Sequence, residues 1–258
     1  MSDLQLREAG LQVDGRWLVR GISLEVAPAN ITAIVGPNGS GKSTVLRLLG
    51  GLWRPSEGDI KIGGELLTAL PRMALARRVA FVPQDTQIGF GFTVREVVEM
   101  GRHPHIGRFN SPGVADAAAV EAALERTDAA SLSARLIHEL SGGERQRVLI
   151  ARSLATEADI ILLDEPTSSL DIDHTLDVMD LLKDLASDGK AVAVALHDLN
   201  AVARWADRVA LMRSGELKAF GQVSEVLSDH LVESVFGARV EHLYGDDGRS
   251  AMLFYRRE

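Results

Sequence analysis

The chain of 258 residues contains no cysteine, and only 5% of its residues are aromatic. The absence of cysteine excludes disulfides, thiolate metal sites and cysteine nucleophiles, and it fits a reducing compartment. Apolar runs such as "DIILLD" and "AVAVAL" are too short to cross a bilayer. The opening "MSDLQLREAG" lacks a basic segment followed by an apolar one, so no secretory signal is expected. We therefore expect a soluble chain that reaches a membrane only through a partner.

Positive charge is also scarce. The sequence has 28 Lys and Arg against 36 Asp and Glu, which gives a net charge of −8. This balance argues against a nucleic-acid binder that neutralises many phosphates, although it leaves room for a local basic patch. An apolar content of 46% is enough for a substantial core. The length fits one large domain or a domain with a subdomain.

The pattern of apolar segments divides the chain into an alternating part and a helical part. Short strands are predicted within 2–35, and "ITAIVG" is a β-branched strand that leads into a glycine-rich loop. The segments of 86–157 have helical spacing and no clear strand, which predicts a helical subdomain. Strands and helices alternate after it, which indicates a mostly parallel sheet covered by helices. We predict a single α/β domain, 1–258, with its core in 1–85 and 158–258.

The glycine-rich loop reads "GPNGSGKST" at 36–44 and matches the pattern G-x-x-x-x-G-K-[ST] between a predicted strand and a predicted helix. Its glycines let consecutive backbone N–H groups face a phosphate, and the dipole of the following helix favours negative charge. Lys42 can reach the terminal phosphates of a nucleotide, and Ser43 can offer its hydroxyl to Mg²⁺. The predicted nucleotide-binding residues here are Gly36, Pro37, Asn38, Gly39, Ser40, Gly41, Lys42, Ser43 and Thr44.

A pair of carboxylates follows a later apolar strand, in "IILLDEP" at 160–166. Asp164 ends the strand, where a carboxylate can hold Mg²⁺ directly or through a water. Glu165 comes one residue further and can point towards the γ-phosphate. A carboxylate in that position can take a proton from an attacking water.

A second segment with phosphate-binding character, "LSGGERQR", occupies 140–147. Ser141 and Glu144 form the pattern of a capping box that opens a helix. The N-terminus of that helix would present free N–H groups and a positive dipole to a phosphate. The cap does not explain Gly142 and Gly143, which cost stability at a helix start and therefore suggest a close approach to another group.

These segments, in this order, closely resemble the nucleotide-binding subunits of ABC transporters. The resemblance covers nearly the whole chain and includes Gln84 in "VPQD", "LSGGE" at 140–144, "SSLD" at 168–171 and "HD" at 197–198. It implies a P-loop NTPase core with an antiparallel β subdomain and a helical signature subdomain. It also implies a homodimer in which two subunits stack head to tail, with the signature of one facing the P-loop of the other. Two ATP molecules would then each be held by both chains.

The resemblance also implies roles for single residues. Gln84 would sense the γ-phosphate and Mg²⁺, His197 would hold the γ-phosphate together with Glu165, and Asp171 would link the two sites across the dimer. The implied catalytic residues are Glu165, His197, Lys42 and Gln84, and the implied magnesium ligands are Ser43, Gln84 and Asp164. The other histidines considered, His103, His105, His138 and His174, are expected to be structural or solvated.

One position departs from the family pattern. The family usually stacks an aromatic side chain on adenine, and Val13 occupies the corresponding place in this chain. Trp17 could substitute for the missing ring, or it could be a half-buried core residue. The sequence leaves both interpretations open.

The segment after Gln84, with "GRHPH" at its centre, resembles the importer branch that serves iron-siderophore, haem and cobalamin uptake, and the tail "VSEVLSDHLVESVFGARVE" does so too. This implies a membrane permease dimer that docks on the segment, an external binding protein that acts indirectly, and a peripheral location on the cytoplasmic face of the inner membrane. The function hypothesis is an ATP-hydrolysing subunit for metal-chelate import, with iron-siderophore or haem favoured over cobalamin.

Other functions stay open at this stage. An importer of a different cargo would have the same motifs. A soluble ABC ATPase that acts on ribosomes or DNA is disfavoured, because the sequence has neither a second cassette nor a long coiled-coil insertion. A regulatory module without turnover is disfavoured by Glu165 and His197, and a P-loop kinase would not explain "LSGGERQR".

Overall fold

The computed structural model describes residues 2–84, 88, 91–107, 110–168, 170–244 and 250–256. Three of the motifs above fall partly outside the described residues, namely "VPQD" at Asp85, the end of the "GRHPH" segment at Arg108 and Phe109, and "SSLD" at Ser169. No helix in the described part of the chain is long and apolar enough to span a membrane.

Strands and helices follow one another along the chain as the alternating pattern predicts. The strands are β1 (Leu4–Val13), β2 (Arg16–Val26), β3 (Asn30–Val35), β4 (Glu57–Ile62), β5 (Glu65–Leu66), β6 (Val79–Val82), β7 (Ile160–Asp164), β8 (Ala191–Ala195), β9 (Arg208–Arg213), β10 (Glu216–Gln222), β11 (Ala238–Tyr244) and β12 (Ser250–Arg256). The helices are α1 (Lys42–Leu49), α2 (Arg72–Arg78), α3 (Val94–Glu99), α4 (Val114–Arg126), α5 (Gly142–Leu154), α6 (Ile172–Ser187), α7 (Leu199–Trp205), α8 (Val223–Val226) and α9 (Asp229–Phe236).

A six-stranded sheet in the order β10-β9-β3-β8-β7-β6 forms the centre of the domain. Its neighbouring strands are parallel from β9 to β6, and among the described strands of this sheet only β10 pairs antiparallel. Every residue of β7 and β8 is buried, because helices cover both faces, and this explains the uninterrupted apolar runs in the sequence. The prediction of a mostly parallel α/β sheet is confirmed.

A second, antiparallel sheet in the order β2-β1-β4-β5 covers one side of the core. Its inner face packs on α1 in one apolar cluster that includes Leu6, Ile22 and Val45. The first two strands are longer than predicted, with 10 and 11 residues. They form a continuous hairpin because Asp14 and Gly15 both adopt positive φ, 48° and 78°, as a tight two-residue turn requires.

The helices α3, α4 and α5 share a separate apolar core that contains Val98, Leu124 and Val148. The only strand-like pairing described in this part of the chain is a single bridge between Thr93 and Leu136. The helical character predicted for it is therefore confirmed, whereas the exact division into 1–85, 86–157 and 158–258 stays a prediction.

The C-terminal part contains elements that the sequence pattern did not predict in detail. The helices α8 and α9 follow β10, and the strands β11 and β12 pair as an antiparallel C-terminal hairpin. Val240 and Met252 on the inner face of this hairpin join the main apolar core. The helix α2, which begins after Pro71, was also not predicted.

Candidate active site

The loop between β3 and α1 has the backbone that its glycines allow. Gly39 adopts φ 75° with open space where a Cβ atom would project, so the backbone there is accessible to a ligand. Gly36 is required for packing, because a Cβ atom on it would lie 2.2 Å from the carbonyl oxygen of Met212. Gly41, at φ 103°, is the N-cap of α1. The first turn of α1 therefore offers free N–H groups at the same place.

This loop opens on a cavity of about 520 Å³. The cavity brings together five segments that are distant in sequence. Its lining residues are Leu18, Asn38, Gly39, Ser40, Gly41, Lys42, Ser43, Thr44, Gln84, Glu165 and His197. All four residues of the predicted catalytic set thus lie around one cavity.

Lys42 lines the cavity and is only 5% exposed. Its ammonium group donates to the carbonyl oxygen of Gly36 at 3.0 Å and lies 3.8 Å from Oε1 of Glu165. Burial lowers the pKa of Lys42, and the nearby carboxylates of Glu165 and Asp164 oppose this effect. A triphosphate in the cavity would add further negative charge beside this cation.

Ser43 and Asp164 meet beside the lysine. The Ser43 hydroxyl donates to Oδ1 of Asp164 at 2.9 Å, although the two residues are 121 positions apart. One hydroxyl and one carboxylate are the hard oxygen donors that Mg²⁺ takes alongside substrate phosphates. The donor chemistry therefore fits the predicted magnesium site.

Burial raises the pKa of Asp164 above its ordinary value of 3.8, against the hydrogen bond from Ser43, which lowers it. The folded state thus binds a proton at Asp164 more tightly than the unfolded chain does. The contribution of this group to stability is therefore largest at low pH and falls as pH rises from the unfolded pKa through the folded one.

Asp164→Asn is expected to stabilise the nucleotide-free protein, raising Tm by about 2–4 °C, because no ionised carboxylate has to be buried. The amide oxygen can still accept from Ser43. Thermal unfolding followed by circular dichroism from pH 4, close to the ordinary pKa of 3.8, up to pH 8 measures the effect, which should grow as pH rises through the folded pKa of Asp164. A variant less stable than the wild type at pH 8 would contradict the expectation.

Glu165 is the centre of a group of polar contacts. Its Oε1 lies 2.5 Å from Nε2 of His197, and its Oε2 accepts from Nε2 of Gln84 at 2.7 Å. Glu165 has φ 51°, in the left-handed region that non-glycine residues rarely adopt. Such strain is typical of functional positions, because the surrounding structure must hold it in place.

The signature segment, residues 140–144, lies elsewhere in the chain. The predicted capping box is present, since Ser141 Oγ accepts from the N–H of Glu144 and Glu144 accepts from the N–H of Ser141. None of the predicted binding residues Ser141, Gly142, Gly143, Glu144 and Asp171 lines the cavity. The structure therefore brings the P-loop, Gln84, Glu165 and His197 together, but does not bring the signature segment to the cavity of its own chain.

The close approach expected at the glycine pair has an internal explanation at Gly143. A Cβ atom on Gly143 would lie 2.8 Å from Cδ2 of His174. The ring of His174 is held by Oδ1 of Asp171 at 2.5 Å, and the same oxygen accepts from the N–H of His174 and caps α6. His174 is thus structural, as expected, and it connects Asp171 to the signature segment.

The position expected to stack on adenine carries no ring. Val13 is 45% exposed, and no Phe, Tyr or Trp lines the cavity as described. Trp17 packs against Gly10 and lies 4.9 Å from the guanidinium of Arg20, whereas the neighbouring Leu18 lines the cavity. This favours the interpretation of Trp17 as a half-buried packing residue. Leu18 also lines the cavity. The sequence interpretation missed it, because Leu18 lies far from the P-loop pattern in sequence.

Val13→Tyr is expected to lower KM for ATP by about two- to tenfold, because a stacked ring contributes about 0.5–1.5 kcal/mol beyond its buried area. Steady-state kinetics of the purified protein measure this change. Val114→Tyr is a matched control on α4, where Val114 is 90% exposed. An unchanged KM for Val13→Tyr would mean that the adenine ring of ATP does not lie beside position 13.

The site combines a glycine-rich loop between a strand and a helix, a buried lysine, and an Asp-Glu pair at the end of another strand of the same sheet. This combination defines a P-loop nucleotide-binding protein. The sequence profile of the ABC transporter family matches residues 19–168. The chain belongs to the ABC transporter family.

Two relatives of the chain carry names of import subunits. The chain is 43% identical to the hemin import ATP-binding protein HmuV of Rhizobium meliloti, with 93% of this chain and 91% of the relative covered. It is 42% identical to the cobalamin import ATP-binding protein BtuD of Halobacterium salinarum, with 92% of this chain covered. The chain spans only 60% of the length of that cobalamin relative.

Two solved structures extend the comparison. An ABC transporter of the metal-chelate type in an inward-facing conformation matches with a TM-score of 0.86 and 30% identity, covering 98% of this chain and 97% of that one. A dimeric ATP-binding cassette in a post-hydrolysis state with ADP and phosphate matches with a TM-score of 0.74 and 30% identity, covering 85% and 98%. The fold expected from the sequence is therefore confirmed as that of an ATP-binding cassette.

Proposed function

We propose that this chain hydrolyses ATP and thereby powers the import of a metal chelate through a membrane permease, with haem or iron-siderophore favoured over cobalamin. The observation that carries the proposal is the convergence of Lys42, Gln84, Glu165 and His197 on the P-loop cavity. The named relatives, one for hemin and one for cobalamin, support import as the process. Haem is favoured because the hemin relative is covered almost completely by this chain.

In this proposal the P-loop and α1 hold the phosphates of ATP, and Lys42 balances charge at the terminal phosphates. Glu165 takes a proton from the attacking water, and His197 and Gln84 hold its carboxylate in place through the contacts at 2.5 and 2.7 Å. Ser43 and Asp164, with Gln84 beside them, would hold Mg²⁺. When bound, Mg²⁺ would neutralise developing phosphate charge.

The proposed active unit is a homodimer in which the signature segment and Asp171 of one chain complete the site of the other. This accounts for a helix cap at Ser141 and Gly142 that is exposed and is not part of the cavity lining of its own chain. It also agrees with the dimeric form of the cassette described with ADP and phosphate.

The proposed permease contact is a cleft between α2, β6 and the turn that carries the "GRHPH" sequence. The cleft has a volume of about 250 Å³ and is lined by residues that include Ala76, Phe81, Met100 and Pro104. Arg77 of α2 connects the helix to the turn, since its Nε donates to the carbonyl oxygen of Pro104 at 2.7 Å. A docked permease would hold the chain at the cytoplasmic face of the inner membrane, with the external binding protein acting only through the permease.

The experiment that tests the function is uptake of labelled haem, iron-siderophore and cobalamin by host cells that lack this chain. Wild-type protein should restore uptake of one metal chelate, and Glu165→Gln should not. Glu216→Gln is the matched control, because Glu216 is exposed and contacts Lys218 on the surface. Unchanged uptake of all three compounds in the deletion strain, with purification of soluble partners only, would favour a soluble ATPase.

A further inference from the structure

The side chain of Asn200, at the start of α7, forms two hydrogen bonds to one residue of the C-terminal hairpin. Its Nδ2 donates to the carbonyl oxygen of Met252 at 3.2 Å, and its Oδ1 accepts from the N–H of Met252 at 2.7 Å. The amide thus takes the place of a neighbouring strand along the edge of β12. Both backbone groups of Met252 and both ends of the amide are satisfied by this single contact.

Asn200 comes three residues after His197, and the backbone between them is tied at both ends. On one side, the N–H of Leu196 donates to the carbonyl oxygen of Ile34 at 3.1 Å. On the other, Asp198 caps α7 by accepting from the N–H of Asn200 at 2.8 Å. The position of His197 therefore depends on two anchors, one in the central sheet and one at Asn200.

The C-terminal hairpin is well packed at Met252 but is less completely packed next to this residue. Met252 is 3% exposed and belongs to the main core. Next to it a cavity of about 960 Å³ separates the hairpin from α7 and α8, with Ala203, Val223 and Leu227 among its lining residues. The two hydrogen bonds at Asn200 therefore add a directional connection between β12 and α7 to the apolar contacts that Met252 makes in the main core.

We propose that Asn200 is a positioning residue for hydrolysis, which transmits the position of the C-terminal hairpin to His197 and so keeps the imidazole against Glu165. The inference rests on the role proposed above for His197. Without the amide, the first turn of α7 loses its tie to Met252, and the 2.5 Å contact between His197 and Glu165 is formed in fewer molecules.

The test uses the purified full-length chain and measures kcat and KM for ATP together with Tm. Asn200→Ala should lower kcat about tenfold while KM stays within about twofold, since the P-loop is untouched. Met252→Ala is the matched control, because it removes the buried side chain but keeps both backbone hydrogen bonds. It should lower Tm with little change in kcat.

Two further variants distinguish positioning from simple stability. The double variant His197→Ala with Asn200→Ala should be no slower than His197→Ala alone, because Asn200 acts through the histidine. Asn200→Asp cannot donate to the Met252 carbonyl when ionised but can do so when protonated. Because an aspartate with its ordinary pKa of about 3.9 is ionised at neutral pH, this variant should lower kcat about as far as Asn200→Ala does.

Wild-type kcat in Asn200→Ala, or a further tenfold loss in the double variant, would overturn the inference while leaving the ATPase proposal intact. Wild-type turnover in His197→Ala would instead overturn the role of the histidine and this inference with it.

Discussion

Glu165→Gln is expected to reduce steady-state ATP hydrolysis by about 10²–10⁴-fold, the usual contribution of a general base. The amide keeps the size of the side chain and can still contact Gln84 and His197, but it cannot take a proton from water. ATP binding should therefore survive. Because the nucleotide is bound but not cleaved, the variant should accumulate as an ATP-bound dimer.

Phosphate release measures the rate of the Glu165→Gln variant, and size-exclusion chromatography with and without ATP and Mg²⁺ measures the dimer. Glu216→Gln, the surface control, should hydrolyse ATP like the wild type. Appreciable steady-state turnover by Glu165→Gln would remove Glu165 from the role of base. If Glu165→Gln lost activity as expected but formed no ATP-dependent dimer, the result would instead argue against a nucleotide site shared by two chains.

Lys42→Met should lower kcat by about 10²–10³-fold, the effect of removing one preorganised charge partner of the transition state. It should also weaken ATP binding, because the buried ammonium is the cation closest to Glu165 in the described cavity. Its removal takes away a positive charge that acts on both Asp164 and Glu165, and leaves Arg47 as the remaining cation that acts on Asp164. The pKa of Asp164, which burial already raises, should rise further.

Binding of a fluorescent ATP analogue and phosphate release measure the Lys42→Met variant separately. Lys218→Met is a suitable control, since Lys218 pairs with Glu216 on the surface. If Lys42→Met kept wild-type affinity and rate, the assignment of the cavity as the phosphate site would be wrong.

Local patterns were enough to predict the P-loop, the strand that ends at Asp164 and the cap at Ser141. Each of these depends on residues that are close in sequence, such as glycines at fixed spacing or a Ser and a Glu three positions apart. The meeting of Gln84, Glu165 and His197 was expected only from the family resemblance. It depends on strands β6, β7 and β8 lying side by side, which no local pattern specifies.

Features that depend on packing between distant segments were not predicted. The close approach at Gly143 turned out to be to His174 of the same chain. The hairpin β11–β12 and its contact with Asn200 join the last strand to the first turn of α7, 52 residues earlier. Leu18 enters the cavity because β2 runs past the P-loop. Tertiary contacts of this kind leave no periodic signal in the sequence.

The central claim is that each nucleotide is held by the P-loop of one chain and the signature segment of another. Because the chain has no cysteine, a variant with Asn38→Cys and Gly142→Cys carries only the two engineered thiols. Both positions are exposed in the structure. Mild oxidation in the presence of ATP, with Glu165→Gln to prevent turnover, should give a covalent dimer on a non-reducing gel, and neither single-cysteine variant should do so. Exclusively monomeric product under the same conditions would contradict the head-to-tail arrangement.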